Sequence, residues 1–142
     1  MASAAGLAVP TAANYNVILL SVDSLRGDVF FPRSETPWVP AQLDVMPRLR
    51  ALLGRSVAYT RAYALSSYTS MSVGAFLAGR YPGEVKRSGF FFGSYPSDVV
   101  MFPERLQAEG VRTLGAQAYF FFAPRGAGLD QGFSVWEMVP GV

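Results

Sequence analysis

The sequence contains neither cysteine nor histidine among its 142 residues. Without cysteine the chain can form no disulfide, no thiolate-bound metal site and no cysteine nucleophile. Without histidine, the chain alone cannot build a serine–histidine–aspartate or cysteine–histidine mechanism, or a histidine-ligated metal site. Any catalysis must therefore use oxygen ligands, a metal ion or residues supplied from elsewhere.

Charged residues are scarce, at 15% of the chain against 51% hydrophobic residues. This balance predicts a globular protein with a substantial core rather than a disordered one. The net charge of +2 and the lack of a dense basic run argue against nucleic-acid binding. Eleven of the 12 basic residues are arginine, which suits bidentate recognition of oxyanions, although biased codon usage would give the same composition.

Long apolar runs are missing as well, and none approaches the ~20 residues that a membrane-spanning helix needs. We therefore expect no membrane span. Residues 1–14 are rich in alanine and lack the basic start and apolar centre of a signal peptide. The sequence predicts a disordered lead-in at 1–14 and one domain over 15–142, and leaves the compartment open.

The most informative stretch is residues 66–82, SSYTSMSVGAFLAGRYP. It predicts a polar turn followed by a helix that ends at Gly79. The apolar face of this helix consists of Val73, Phe76 and Leu77. Because backbone N–H groups and the helix dipole favour an anion at a helix N-terminus, Thr69 is placed to contact or attack a phosphate or sulfate ester. The alternative is that Thr69 or Ser70 only caps the helix.

A second candidate group follows residues 16–22, NVILLSV. This continuous apolar run has the length and composition of a strand buried on both faces of a parallel sheet. A carboxylate directly after such a strand lies at the edge where open α/β sheets bind ligands. Asp23 is therefore a candidate metal ligand, and Asp28 is a weaker one. The alternative is that Asp23 caps the next element.

The remaining elements alternate along the chain. The pattern predicts helices at 41–53 and 98–109, and strands at 57–64, 111–118 and 132–139. Strands that alternate with helices are typical of an α/β sandwich.

With these elements in place, the chain resembles the N-terminal segment of the sulfatase and alkaline-phosphatase superfamily. The similarity covers residues 15 to about 139 and consists of short motifs in the order of that family. These are NVILLSVDSLR at 16–26, MPRL at 46–49, SVAYTRAY at 56–63, TSMS at 69–72, FLAGRYP at 76–82, LQAEGVRT at 106–113 and QGF at 131–133. The resemblance implies a three-layer α/β sandwich with a mostly parallel sheet.

The resemblance also implies roles for particular residues. Asp23 would bind a divalent metal ion (calcium, magnesium, manganese or zinc). Thr69 would bind the same ion and act as the nucleophile that forms a covalent sulfo- or phospho-enzyme. Arg80 would orient this turn or neutralise an oxyanion, although a structural salt bridge behind the helix is the alternative. The implied substrate is a small-molecule sulfate or phosphate ester.

The chain departs from the family pattern in three respects. Sulfatases carry a cysteine or serine, then a proline and an arginine, where this chain has Thr69, Met71 and Val73. Threonine cannot be converted to formylglycine, so the chain is closer to the phosphatase and phosphotransferase branches. Ser24 stands where many members have a second aspartate. Family members are also longer and take further metal ligands from a later segment, so we expect this chain to be incomplete.

Two hypotheses about function follow. In the first, the chain is part of a metal-dependent ester hydrolase or transferase. In the second, it is a truncated or degenerate relative that binds a partner or associates with itself. The phenylalanine clusters at 90–92 and 120–122 bear on this choice. Each is either a surface that a missing C-terminal half covers or part of the core of this domain.

Overall fold

The computed structural model describes residues 15–29, 46–89, 91, 93–124 and 126–140. The predicted lead-in at 1–14 lies outside these residues, as do residues 41–45 of the first predicted helix. The chain divides into two compact units, Met1–Ser56 and Val57–Val142. The described residues contain helices and a small parallel sheet, so the protein has a mixed α/β fold.

The described part of the first unit contains one α-helix. Helix α1 spans Pro47–Leu53, begins with proline in its first turn and has no buried residue. It confirms the second half of the helix predicted over 41–53. A short 3₁₀ helix spans Gly27–Val29.

The strand predicted at 16–22 is not formed, which corrects the sequence-based prediction. Residues 15–22 lie outside helices and strands, and the Val17 and Ile18 side chains are each 90% exposed. The strand predicted at 57–64 is likewise absent, and its residues are exposed. An apolar run indicates that a segment can form a strand, but a strand exists only when a partner completes its hydrogen bonds.

The described residues of the second unit form two further α-helices. Helix α2 spans Thr69–Ala78 and confirms the helix predicted to end at Gly79. The backbone of Gly79 is left-handed, with φ of 63°, a conformation that glycine adopts at little cost. Helix α3 spans Phe102–Ala108 with Pro103 in its first turn, where a missing N–H removes no helical hydrogen bond. It forms the second half of the helix predicted over 98–109.

Where the second unit is described, its sheet consists of two parallel strands. Strand β1 spans Leu114–Gln117 and strand β2 spans Val135–Met138. Leu114 pairs with Val135 and Gln117 pairs with Met138. Both strands lie inside segments that the sequence predicted as strands, and the parallel pairing was also predicted.

The core of the second unit lies between α2, α3 and the loops that follow them. Its buried hydrophobic residues are Leu77, Val85, Tyr95, Val99, Met101, Phe122, Ala127 and Leu129. Phe102 and Trp136 are partly buried and pack against this cluster. The predicted apolar face of α2 is only partly confirmed, because Leu77 is buried whereas Phe76 is 46% exposed.

None of the helices in the described part of the chain has the length and apolar character needed to cross a membrane. This agrees with the expectation from the sequence.

Candidate functional site

Thr69 is the first residue of α2 and is partly buried. The residue in the N-cap position is Tyr68, with extended backbone, and its side chain makes no capping hydrogen bond. Ser66 lies two residues before Tyr68, and its hydroxyl accepts a hydrogen bond of 3.1 Å from the Tyr68 N–H. Neither Thr69 nor Ser70 is therefore the N-cap, and both hydroxyl residues lie inside the first turn of the helix.

The first turn of α2 is fixed to the loop that precedes α3. The Ser70 hydroxyl donates a hydrogen bond to the Phe91 carbonyl, and the Tyr95 hydroxyl donates one of 2.8 Å to the Ser70 carbonyl. Tyr95 is only 4% exposed. Burial raises the pKa of the Tyr95 phenol, and the nearby Arg87 charge opposes this effect. The phenol therefore stays protonated and remains a donor at neutral pH.

Gly74 makes this contact sterically feasible. A Cβ atom at Gly74 would lie 2.1 Å from Cζ of Tyr95 and 2.3 Å from its hydroxyl oxygen. The tyrosine ring thus packs directly on the α2 backbone, one turn after Ser70. The combination of Ser70, Gly74 and Tyr95 holds the start of α2 in place.

Arg80 lies at the other end of the same helix. The Arg80 backbone N–H donates a hydrogen bond of 3.1 Å to the Ala75 carbonyl. The Gly79 N–H donates one of 3.1 Å to the Phe76 carbonyl. These bonds form a Schellman-type helix end. A helix of 10 residues is about 15 Å long, so the helix separates Arg80 from Thr69. The Arg80 side chain is exposed, and its charge lies where it complements the negative end of the helix dipole.

Asp23 and Asp28 both lie in the first unit. Asp23 is exposed and precedes Ser24, whose φ of 58° makes a tight turn. Two oxygens of Asp28 accept hydrogen bonds from Arg26, at 2.9 Å and 2.6 Å. The pair raises the pKa of the Arg26 guanidinium. Asp28 therefore already serves as an ion-pair partner, which weakens its candidacy as a metal ligand.

The described residues do not by themselves fit a resident metal ion. Among them, no group of three or more aspartate, glutamate, histidine or cysteine side chains is arranged to hold one. Asp23 and Thr69 would together supply two oxygen ligands, whereas zinc sites usually have about four ligands and magnesium about six. Any ion bound by Asp23 and Thr69 would need further ligands.

A cavity of about 320 Å³ lies beside the first turn of α2. We call it the aromatic pocket, and its described lining residues are Ser70, Gly93, Phe120, Phe121, Phe122, Ala123, Gly126 and Ala127. Phe122 is buried, whereas Phe120 is 64% exposed. The second phenylalanine cluster is thus partly core and partly surface. Of the first cluster, Phe91 is exposed, and residues 90 and 92 lie outside the described part of the chain.

Sequence reasoning identified the Thr69 turn but missed the residues that hold it. Tyr95 and Phe91 belong to a segment rich in glycine and aromatic residues that has no helical or strand periodicity. Their contacts join residues more than 20 positions apart, such as Ser70 with Phe91 and Tyr95. Periodicity in one sequence does not reveal such pairs.

The chain matches no protein-family model, no curated protein and no solved structure. The resemblance to the sulfatase and alkaline-phosphatase superfamily therefore remains a hypothesis that rests on the motifs themselves.

Proposed function

We propose that the chain is part of a hydrolase or transferase of phosphate or sulfate esters, with Thr69 as the nucleophile. The main observation in support is the position of Thr69 in the first turn of α2, with Ser70 beside it. The first helical backbone bond of α2 is donated by Ser72 to the Tyr68 carbonyl at 2.9 Å. The N–H groups at a helix start point along the axis and favour an anionic group there.

In the proposed reaction, the Thr69 hydroxyl oxygen attacks the phosphorus or sulfur atom of the ester. The bond to the leaving alcohol oxygen breaks, and the hydroxyl proton is released to the leaving alcohol or to solvent. Water then cleaves the enzyme ester in a hydrolase, or a second alcohol accepts the group in a transferase. The donors of the first turn of α2 would stabilise the developing negative charge.

The proposal includes a fold and a cofactor that extend beyond the described residues. The fold is the three-layer sandwich implied by the family motifs, of which β1, β2 and their flanking helices would form a part. The cofactor is a divalent ion of calcium, magnesium, manganese or zinc, with Asp23 and Thr69 among its ligands. Since the described residues do not complete such a site, the steps above are assigned to the chain's own groups.

The test is a search for the covalent intermediate on the full chain. The protein is incubated with phenyl phosphate or, separately, phenyl sulfate, with each of the four ions in turn and with a chelator. Digestion after arginine gives a peptide spanning 62–80, which contains Thr69 and Ser70. We expect a phosphate or sulfate group on Thr69. A label on Ser70 would identify Ser70 as the nucleophile instead of Thr69. If neither residue is labelled under any of these conditions, the proposal is wrong.

A second candidate function is that of a binding or association module. The observation in its favour is the exposure of consecutive apolar side chains at 17–20, led by Val17 and Ile18 at 90%. Exposed apolar patches commonly mark interaction sites. Light scattering coupled to size-exclusion chromatography is then expected to give a molecular mass that rises with protein concentration. Ile18→Lys is expected to reduce this rise in mass. A monomer at every concentration would count against this function.

A further inference from the structure

Residues 16–22, NVILLSV, have the sequence of a strand but are not paired as one. Within the described part of the chain, no backbone hydrogen bond joins residues 16–21 to another residue. The apolar side chains of the segment are exposed, from 58% at Val22 to 90% at Val17 and Ile18. Backbone N–H and C=O groups without partners in the same chain can complete their hydrogen bonds with another chain.

The composition of this segment favours pairing with an identical segment. Residues 16–22 contain no proline, no glycine and no charged residue, and the first charged side chain of the sequence is that of Asp23. Valine, isoleucine and leucine make up five of the seven residues at 16–22. Segments of about six or seven residues with high β-propensity, low charge and no proline pair readily with copies of themselves. The segment is therefore suited to strand pairing between two copies of the chain.

The side chains of residues 16–22 would lie on two faces if the segment became a strand. Ile18, Leu20 and Val22 would share one face, and Val17 and Leu19 would lie on the other. In an antiparallel pair centred on Leu19, Leu19 lies opposite the same residue of the second copy. Ile18 then lies opposite Leu20, so apolar side chains meet across the pair, which stabilises it.

The charge of Asp23 favours the antiparallel direction over the parallel one. A parallel pair in register would place the two Asp23 carboxylates on neighbouring strands, about 5 Å apart, where like charges repel. The antiparallel pair centred on Leu19 places Asp23 opposite Tyr15 of the second copy. The two carboxylates are then about 27 Å apart along the strands, well beyond the screening length of about 8 Å at physiological ionic strength.

We propose that residues 16–22 are an interaction surface whose partner is the same segment of a second copy of this chain. The two segments form an antiparallel strand pair centred on Leu19. This inference rests on the second candidate function, association of the chain with itself, and adds the partner segment and its register. A pair of identical segments is two-fold symmetric, so each copy contributes the same surface. The reaction proposed for Thr69 does not depend on this pairing.

The test uses the lack of cysteine in the chain, because one introduced cysteine then reports on a single position. The full-chain variants Val17→Cys, Leu19→Cys and Ser21→Cys are oxidised, and disulfide-linked dimers are measured by non-reducing electrophoresis. Leu19→Cys is expected to cross-link, because opposite residues have Cα atoms about 4.5–5.5 Å apart, within the range of a disulfide. Val17→Cys and Ser21→Cys should each stay monomeric, since identical positions lie about 14 Å apart. A mixture of these two variants should cross-link.

Tyr63→Cys is the control for random collisions, because Tyr63 is 80% exposed and lies in the second unit. Leu19→Cys should cross-link roughly tenfold faster or more, since pairing raises the local concentration of the second thiol. Because positions 17, 19 and 21 are exposed and outside helices and strands, these variants are expected to fold. Equal rates for Leu19→Cys and Tyr63→Cys would overturn the proposal, as would efficient cross-linking of Val17→Cys alone.

Light scattering on the wild-type chain separates this inference from the function on which it rests. If the molecular mass rises with concentration and Leu19→Cys does not cross-link faster than Tyr63→Cys, association stands and the strand pairing is wrong. If the chain is a monomer at every concentration, both are wrong. A rising mass together with selective cross-linking at position 19 supports both.

Discussion

Thr69→Ala is expected to lower the turnover of phenyl phosphate or phenyl sulfate by on the order of 10³-fold or more. Removing a covalent nucleophile leaves only the weaker contributions of binding and charge stabilisation. Thr69→Ser keeps a hydroxyl at the same position and should retain part of the activity. The measurement is the rate of phenol release by the full chain, with and without added divalent ions.

The fold of the Thr69→Ala variant should persist, which makes the loss of turnover interpretable. The hydrogen bond from the Tyr68 N–H to the Ser66 hydroxyl does not involve the mutated side chain, and alanine has the highest helix propensity. Thr60→Ala is a matched control, since Thr60 is an exposed threonine of the same unit outside the helix. It should leave turnover unchanged. Wild-type turnover by Thr69→Ala, with normal circular dichroism, would exclude Thr69 as the nucleophile.

Gly132→Ala is expected to lower the free energy of unfolding by about 4 kcal/mol, a loss that only a few mechanisms produce. The backbone of Gly132 is left-handed, with φ of 75°, and an added Cβ would lie 2.1 Å from the backbone nitrogen of Glu104. That nitrogen belongs to the first turn of α3 and cannot rotate away as a side chain would. The Gly132 carbonyl also accepts a hydrogen bond of 2.6 Å from the Thr113 hydroxyl, next to β1.

Gly110→Ala is the control that separates backbone strain from the steric contact. Gly110 has nearly the same φ, 78°, but nothing lies within 4 Å of an added Cβ. The left-handed backbone alone should cost about 1–2 kcal/mol. Urea denaturation of the two variants measures the difference between their free energies of unfolding, which we assign to displacement of α3. If both variants lose the same free energy of unfolding, α3 moves aside easily.

The sequence predicted the local elements of the fold better than the long-range ones. Helix α2 was predicted with its end at Gly79, because a helix is satisfied by hydrogen bonds between neighbours in the chain. The run at 16–22 carries an equally strong strand pattern but forms no strand. Its pattern specifies apolar side chains and leaves the partner strand unspecified. Strands β1 and β2 have partners, and their segments were predicted correctly.

In the candidate site, too, the sequence predicted the local part and missed the long-range part. The hydroxyl residues at the start of α2 are visible in the sequence, and the structure places Thr69 in the first turn. The aromatic pocket was not predicted, because its lining joins Ser70 to residues 120–123, 126 and 127, at least 50 positions further along the chain. The sequence showed three consecutive phenylalanines there without indicating that two would be partly exposed and one buried.

Tyr95 should limit fraying at the start of α2. The first turn of a helix is ordinarily the part that frays, because its backbone groups have few partners. Here the Tyr95 hydroxyl is bonded to Ser70 and its ring is buried against Gly74. Fraying of this turn would require the ring to leave the core. The beginning of α2 is therefore expected to open together with the core of its unit, on the slow timescale of cooperative unfolding rather than the fast one of a helix end.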